Sequence, residues 1–263
     1  QSLKAHSKYP NLTAVPIPIA LALFNAQTGE QYALQSGDLV ENGVQDGVYL
    51  FDSDAASIEF TGITAQPVAS LLRNFSAPVN LVFDYSNDDL AFLIQHESNG
   101  FNQWQATQTL LERILLEDHK ADAYIQAIKN TLPELVQKDP LLASRLFDVP
   151  SENYLASRID QDYEPELIRE KREAVLNRLA RDMGAFWLET YQNLDPDLQK
   201  EFSLAMGVRA LKNIMLSMLA RQGDSTAFDL AHVQYQQTGN MSERLGALRV
   251  LIWNDAPQAQ ATL

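Results

Sequence analysis

Between Val15 and Leu23, apolar Val15, Ile17, Ile19, Leu21 and Leu23 alternate with Pro16, Pro18, Ala20 and Ala22. A period of two is the signature of a strand with one buried face. The two prolines predict an edge position, because proline cannot donate to a ladder. Asn25-Ala26-Gln27-Thr28-Gly29 supplies a turn, and Gln31 to Leu34 can return as a partner strand. Val48–Asp52, Ser57–Gly62, Pro67–Arg73 and Val79–Phe83 read as further short strands, separated by turn residues such as Gly37-Asp38, Asn42-Gly43 and Asp46-Gly47. Five or six short strands at this spacing predict a small antiparallel β-sandwich. A full immunoglobulin-like sandwich has about seven, so the first strand is expected to be missing.

The grammar changes to helix at Tyr85. Ser86 followed by Asp89 predicts a capping box opening a helix over Asp88–His96. Trp104, Leu111, Ile114 and Leu115 mark the apolar face of a helix over Asn102–Glu117. Asp139-Pro140 and Asp195-Pro196 each pair a capping aspartate with proline at the first helical position. Ser151 caps a helix carrying Tyr154, Leu155 and Ile159. One long helix is expected from Pro165 to Asn193, with Glu166 and Glu170 near its positive end. Leu198–Arg221, Thr226–Gln237 and Ser242–Trp253 complete the pattern, with Gly223 and Gly239 in the gaps. The fold class is therefore mainly α with an N-terminal all-β domain. Residues 1–84 form the sandwich, and residues 85–263 form about nine helices in antiparallel succession, an α-solenoid without exact sequence repeats.

Charge and composition narrow the function. Lys+Arg is 20 and Asp+Glu is 34 in 263 residues, giving a net charge of −14. A nucleic-acid partner needs a basic face, and an anionic membrane surface needs basic clusters. Neither partner is expected. The longest apolar stretch, Ala14 to Phe24, is far too short to span a bilayer. The chain has no cysteine, so disulfides, thiolate metal sites and thiol catalysis are excluded. No secretory signal is visible, which makes the triplets beginning at Asn11, Asn74 and Asn240 chance matches to a glycosylation acceptor. Gln1 in place of methionine predicts a processed product or an excised piece.

Candidate chemistry is thin. His96-Glu97-Ser98-Asn99-Gly100 starts like a zinc-protease helix, but Gly100 stands where the second histidine ligand is required. Gly100 is expected to end that helix. The four histidines, His6, His96, His119 and His232, are scattered. Asp118, His119 and Asp122 read as a solvated acidic face. Asp160, Asp162, Glu164 and Glu166 imitate a calcium loop, but Pro165 occupies the position that must be glycine. No nucleotide-binding glycine loop and no serine-nucleophile elbow occurs. Trp104, Trp187 and Trp253 are expected to pack in the core or between domains. No catalytic, cofactor-binding or metal-ligating residue is assigned in this chain.

Five stretches nevertheless resemble bacterial aminopeptidase N, a zinc-dependent gluzincin family. They are Pro67-Val68-Ala69-Ser70-Leu71-Leu72-Arg73-Asn74-Phe75-Ser76-Ala77-Pro78-Val79, then Asp88-Asp89-Leu90 with Phe101-Asn102-Gln103-Trp104-Gln105-Ala106, Leu146-Phe147-Asp148-Val149-Pro150-Ser151-Glu152, Gly207-Val208-Arg209-Ala210-Leu211-Lys212-Asn213, and Asn240-Met241-Ser242-Glu243-Arg244. They run through most of the chain in order. The resemblance implies the family's small β-sandwich and the first part of its C-terminal helical domain. The family's zinc motif, exopeptidase motif and catalytic tyrosine belong to a catalytic domain, and no position here carries them. Zinc is thus implied for the parent enzyme and no cofactor for this chain. The implied partners are the parent's catalytic domain and, as substrates, short peptides. The implied role is to brace that domain and to form part of a bowl restricting substrate access, in the cytoplasm. An α-solenoid cut short exposes an apolar face, so dimerisation through that end is expected. The alternative reading is a stand-alone sandwich-plus-solenoid module that binds a partner protein.

Overall fold

The computed structural model describes residues 15–34, 44–45, 47–53, 55–117, 119–159, 164–223 and 225–262. His6, Gly37-Asp38, Asn42-Gly43, Asp46, Asp118, Asp160, Asp162 and the triplet at Asn11 lie outside the described residues. The chain divides into two compact units, residues 1–107 and 108–263.

In the first unit, β1 (Ile17–Asn25), β2 (Val44–Gln45), β3 (Val48–Phe51) and β4 (Pro67–Leu71) form one antiparallel sheet in the order β2-β3-β1-β4. The proline-bearing strand is central, not at an edge as expected. It changes partner midway: Ile17 to Ala20 pair with β3, and Leu21 to Asn25 pair with β4. The Ala20 amide points away from β3, to Ser76 Oγ at 3.0 Å. By the period of two, the missing donor of Pro18 falls on that same side, where no ladder runs. The expectation of one buried face also fails: Leu21, Ala22, Leu23 and Phe24 are all buried. The Phe24 ring meets Phe92 edge-on at 6.3 Å, so a helix covers the second face. Ser57–Gly62 and Val79–Phe83 are not strands, and Gln31 makes an isolated bridge to Phe24 instead of opening one.

Helices follow as the pattern predicts. Ser86 Oγ accepts from the Asp89 amide at 3.0 Å and Asp89 Oδ2 accepts from the Ser86 amide at 2.9 Å, closing the capping box of α1 (Asn87–His96). The next helix, α2 (Gly100–Leu116), starts at Gly100. Gly100 therefore opens a helix and does not end one, because the Asn99 side chain caps it by accepting from the Asn102 amide at 3.1 Å.

In the second unit, α3 (Asp122–Lys138) carries no side-chain cap and holds Pro133 inside. Asp139 and Ser151 cap α4 (Pro140–Arg145) and α5 (Glu152–Ala156) as expected, although α5 stops short of Ile159. The expected long helix is two, α6 (Pro165–Met183) and α7 (Phe186–Asn193), broken at Gly184 with φ 47°. Asp195 caps a 3₁₀ turn, Pro196–Leu198, and α8 (Phe202–Arg221) starts only after it. The remaining helices are α9 (Thr226–Gln237), α10 (Met241–Trp253) and α11 (Ala259–Thr262).

Among the described residues, α8 is the one helix long and apolar enough to cross a membrane by length and composition. Here it is the hub of the second unit, touching α4, α6, α7, α9 and α10. Leu211, Met215 and Leu216 are fully buried on it. Its approach to α4 is set by Gly207, where an added Cβ would lie 2.8 Å from the Leu141 amide nitrogen. Alanine is favoured over glycine inside a helix by about 1 kcal/mol, whereas overpacking costs about 1–3 kcal/mol. The obstructing atom is main chain and cannot swing away. Gly207→Ala is therefore expected to lower the melting temperature, and an unchanged or higher value would show that α4 moves aside freely.

Candidate functional site: a strained joint and a helical groove

Two places gather the signature residues. The first lies at the end of the sheet. After β4 the chain turns through Leu72, Asn74 and Phe75, all with φ of 54–55°. Three non-glycine residues in the left-handed region within four positions are costly, of order 1–3 kcal/mol each. The loop between α1 and α2 holds them. Arg73 Nη2 donates to Glu97 Oε1 at 2.6 Å and to Ser98 Oγ at 2.9 Å. The Glu97 side chain is fully buried, and its Oε1 also accepts from the Asn99 amide at 2.7 Å. Asn99 bonds the Asn74 side chain. Asn102 Nδ2 donates to Ser70 Oγ at 3.0 Å and to the Leu71 carbonyl at 2.8 Å. Phe75 packs on Phe101 at 5.6 Å, and Phe101 on Trp104 at 6.0 Å. The stretches 67–79 and 101–106 are thus the two sides of one joint.

That joint also accounts for the zinc-like string. Glu97 is committed to Arg73. His96 sits 4.5 Å from the Phe92 ring and closes over Gly29, where any Cβ would collide with it. Burial pushes the His96 pKa down. Elsewhere, His119 faces Glu117 at 3.2 Å, Asp122 turns to Arg178 at 2.6 Å, and His232 meets Gln236. No group of three or more metal-ligating side chains comes together among the described residues. The residues present do not fit a zinc site.

The second place is a groove of about 1220 Å³ lined by α6, α8 and α10. The stretches 207–213 and 240–244 meet beside it. Arg209 Nε lies 3.5 Å from Glu243 Oε2, and Asn213 Nδ2 donates to the Ser242 carbonyl at 3.0 Å. Gln234 Nε2 donates to Asn213 Oδ1 and to the Glu243 carbonyl, both at 2.9 Å, and Gln234 Oε1 accepts from Tyr191 Oη at 3.0 Å. Burial, aided by the Glu243 charge, pushes the Tyr191 pKa up to about 12, so the phenol stays a donor. Arg221 grips Glu173 at 2.6 Å and Asn177 at 2.9 Å. Its hydrogen bond holds the Glu173 carboxyl below the ordinary carboxylate range. Trp187 is fully buried and Trp104 partly so, but Trp253 is 78% exposed on the groove wall and is not a core residue. Sequence reasoning missed this groove. Its one available signal was Arg209 and Asn213, four residues apart and thus on one helical face.

Comparison with known proteins fits both places into one frame. A domain family described as of unknown function, DUF3458, with an immunoglobulin-like fold matches residues 1–84. A second, DUF3458_C, described as ARM repeats, matches residues 87–263, more than half of the chain. The chain belongs to the DUF3458_C family. Aminopeptidase N of Escherichia coli (strain K12) is 30% identical over 94% of this chain, and aminopeptidase N of Haemophilus influenzae is 26% identical over 89%. The crystal structure of Legionella pneumophila aminopeptidase A in complex with aspartic acid superposes with a TM-score of 0.75 at 24% identity, over 94% of this chain, which shows the shared fold. The chain spans 29%, 27% and 29% of the lengths of these three proteins. The two domain matches and homology to aminopeptidase N agree with the resemblance carried by the five stretches. An immunoglobulin-like part followed by an ARM-like helical part is the sandwich-plus-solenoid order that the hydrophobic pattern predicts.

Proposed function

We propose that this chain is a non-catalytic part of a zinc-dependent aminopeptidase, bracing the catalytic domain and helping to limit which peptides reach it. The observation that carries the reading is homology to aminopeptidase N along 94% of this chain. Zinc chemistry and removal of the N-terminal residue belong, in this reading, to the catalytic domain. The same reading makes the protein cytoplasmic.

The bracing surface we assign is the strip after the joint. Val79, Leu81, Val82 and Phe83 are exposed, at 38%, 44%, 79% and 46%. Four large apolar residues within five positions form the kind of patch that marks a protein contact. Peptide-limiting closure over an active site excludes water and bulky substrates.

The test mixes this chain with a separately produced aminopeptidase N catalytic domain. Sedimentation is expected to show a complex, and Val82→Asp is expected to weaken it without altering the circular dichroism of the chain. With zinc and an aminoacyl chromogenic substrate, the chain alone is expected to show no turnover. Turnover by the highly purified chain, or no association at any concentration tested, would overturn the reading.

A further inference from the structure

We propose that the groove between α6, α8 and α10 is a docking site for an acidic peptide segment, one that alternates carboxylates with large apolar side chains. The inference goes beyond the bracing role and does not depend on it.

The groove's charge runs against that of the chain. The protein carries −14 overall, yet four arginines and one carboxylate, Glu173, line the groove. Two of the arginines are committed: Arg221 to Glu173, and Arg209 to Glu243. The other two, Arg169 and Arg249, are exposed, and neither has an ion-pair partner among the described residues. They project from different helices, α6 and α10, onto one cavity. Positive side chains concentrated in a concavity of a negative protein focus an attractive field on anions. A planar guanidinium also matches a carboxylate with two parallel hydrogen bonds.

Between the arginines, and beside polar Asn177, Asn213 and Asn240, the wall exposes large apolar side chains. Phe202 is 80% exposed, Met206 45%, Leu245 45% and Trp253 78%. A volume of about 1220 Å³ exceeds the roughly 300–1,000 Å³ of an ordinary small-molecule pocket. A free amino acid would leave most of this surface wet, whereas a peptide fills it. Concave faces of helical arrays take extended or helical segments in this way. Nucleic acid is disfavoured, since two exposed guanidiniums cannot offset the repulsion of a chain at −14.

The experiment titrates this chain into a rhodamine-labelled twelve-residue peptide alternating Glu with Leu and Phe, read by anisotropy, with Trp253 emission as a second signal. The same peptide with Gln in place of Glu is the control. Expected are saturable binding that weakens with salt, a loss of about tenfold or more with the Gln peptide, and a similar loss with Arg169→Gln/Arg249→Gln. Trp253→Ala is expected to weaken binding of both peptides. All these side chains are exposed, so circular dichroism should be unchanged, and a variant that fails this check is replaced by Arg169→Lys/Arg249→Lys. The proposal is overturned by absence of saturable binding, by equal affinity for both peptides, or by double-variant affinity equal to the parent. It is also overturned if free glutamate or single-stranded DNA competes as well as the unlabelled peptide. If sedimentation shows a dimer that excludes the peptide, the occupant is a second copy and the proposal fails.

Discussion

Arg73→Met is expected to cost about 3–5 kcal/mol of stability, because it strands a buried carboxylate. The Glu97 side chain has no solvent exposure, while that of Arg73 keeps 19%. With Arg73 gone, Glu97 Oε1 retains the Asn99 amide, and Oε2 has no hydrogen-bond partner among the described residues. The carboxylate must then protonate, pull in water or unfold the joint, and each is expensive. The left-handed residues Leu72, Asn74 and Phe75 lose their clamp in the same step. Arg73→Lys is expected to fall between, since a single ammonium must replace a guanidinium nitrogen that bonds both Glu97 and Ser98. Arg73→Met/Glu97→Leu is the diagnostic variant. It removes both charges and should recover most of the loss, short of about 1 kcal/mol for the orphaned Asn99 amide. Urea denaturation of the three variants decides it. A loss below about 1 kcal/mol for Arg73→Met would mean that water already reaches Glu97 and that the pair is a surface one.

What the sequence disclosed follows the range of each signal. Ser86 with Asp89, Asp139 with Pro140, and Ser151 announced their helices correctly, because a cap is settled within three residues. The helix Asp122–Lys138 had no such announcement: Ala121 precedes it and Pro133 interrupts it, and its buried Tyr124, Ile128 and Leu132 hold it by packing. The prolines of β1 misled for a similar reason. Missing donors point to an edge, but a strand that hands over from β3 to β4 leaves one side of Pro18 without a ladder even at the centre of the sheet. Gln31 to Leu34, Ser57–Gly62 and Val79–Phe83 have strand-like composition, yet sheet pairing depends on partners far along the chain. The candidate sites were half legible. The stretches at 67–79, 207–213 and 240–244 were readable as strings. That Arg73 would reach Glu97, or Asn213 the Ser242 carbonyl, depends on how α1, α2, α8 and α10 pack. Apart from Arg209, the groove's arginines were hidden, spread over three helices of a chain whose net charge has the opposite sign.

Trp187→Ala is expected to cost about 3–5 kcal/mol, the range for deleting a large aromatic from a core. Trp187 has no exposed surface and meets Phe147 and Phe186 edge-on at 5.7 and 5.5 Å. Its importance comes from the break that divides the expected long helix. Ending α6 at Met183 leaves carbonyls without intrahelical partners. Trp187 Nε1 donates to the Ala180 carbonyl at 2.9 Å, and Gln222 Nε2 donates to the same oxygen at 2.8 Å and to the Gly184 carbonyl at 3.0 Å. The break is thus held by two side chains, one from α7 and one from the end of α8. Because Ala180 keeps a donor when the indole is removed, Trp187→Phe should cost much less, about 1–2 kcal/mol for a lost hydrogen bond and a slightly smaller ring. Adding Gln222→Ala to Trp187→Phe should then cost more than the two single changes summed, since only the double variant leaves the Ala180 carbonyl unpaired. Thermal and urea unfolding of the four proteins would check this. If Trp187→Phe costs as much as Trp187→Ala, the hydrogen bond and not the packing holds α7 against α6. If the double variant is merely additive, water already serves the break, and Gly184 rather than these side chains fixes where the helix divides.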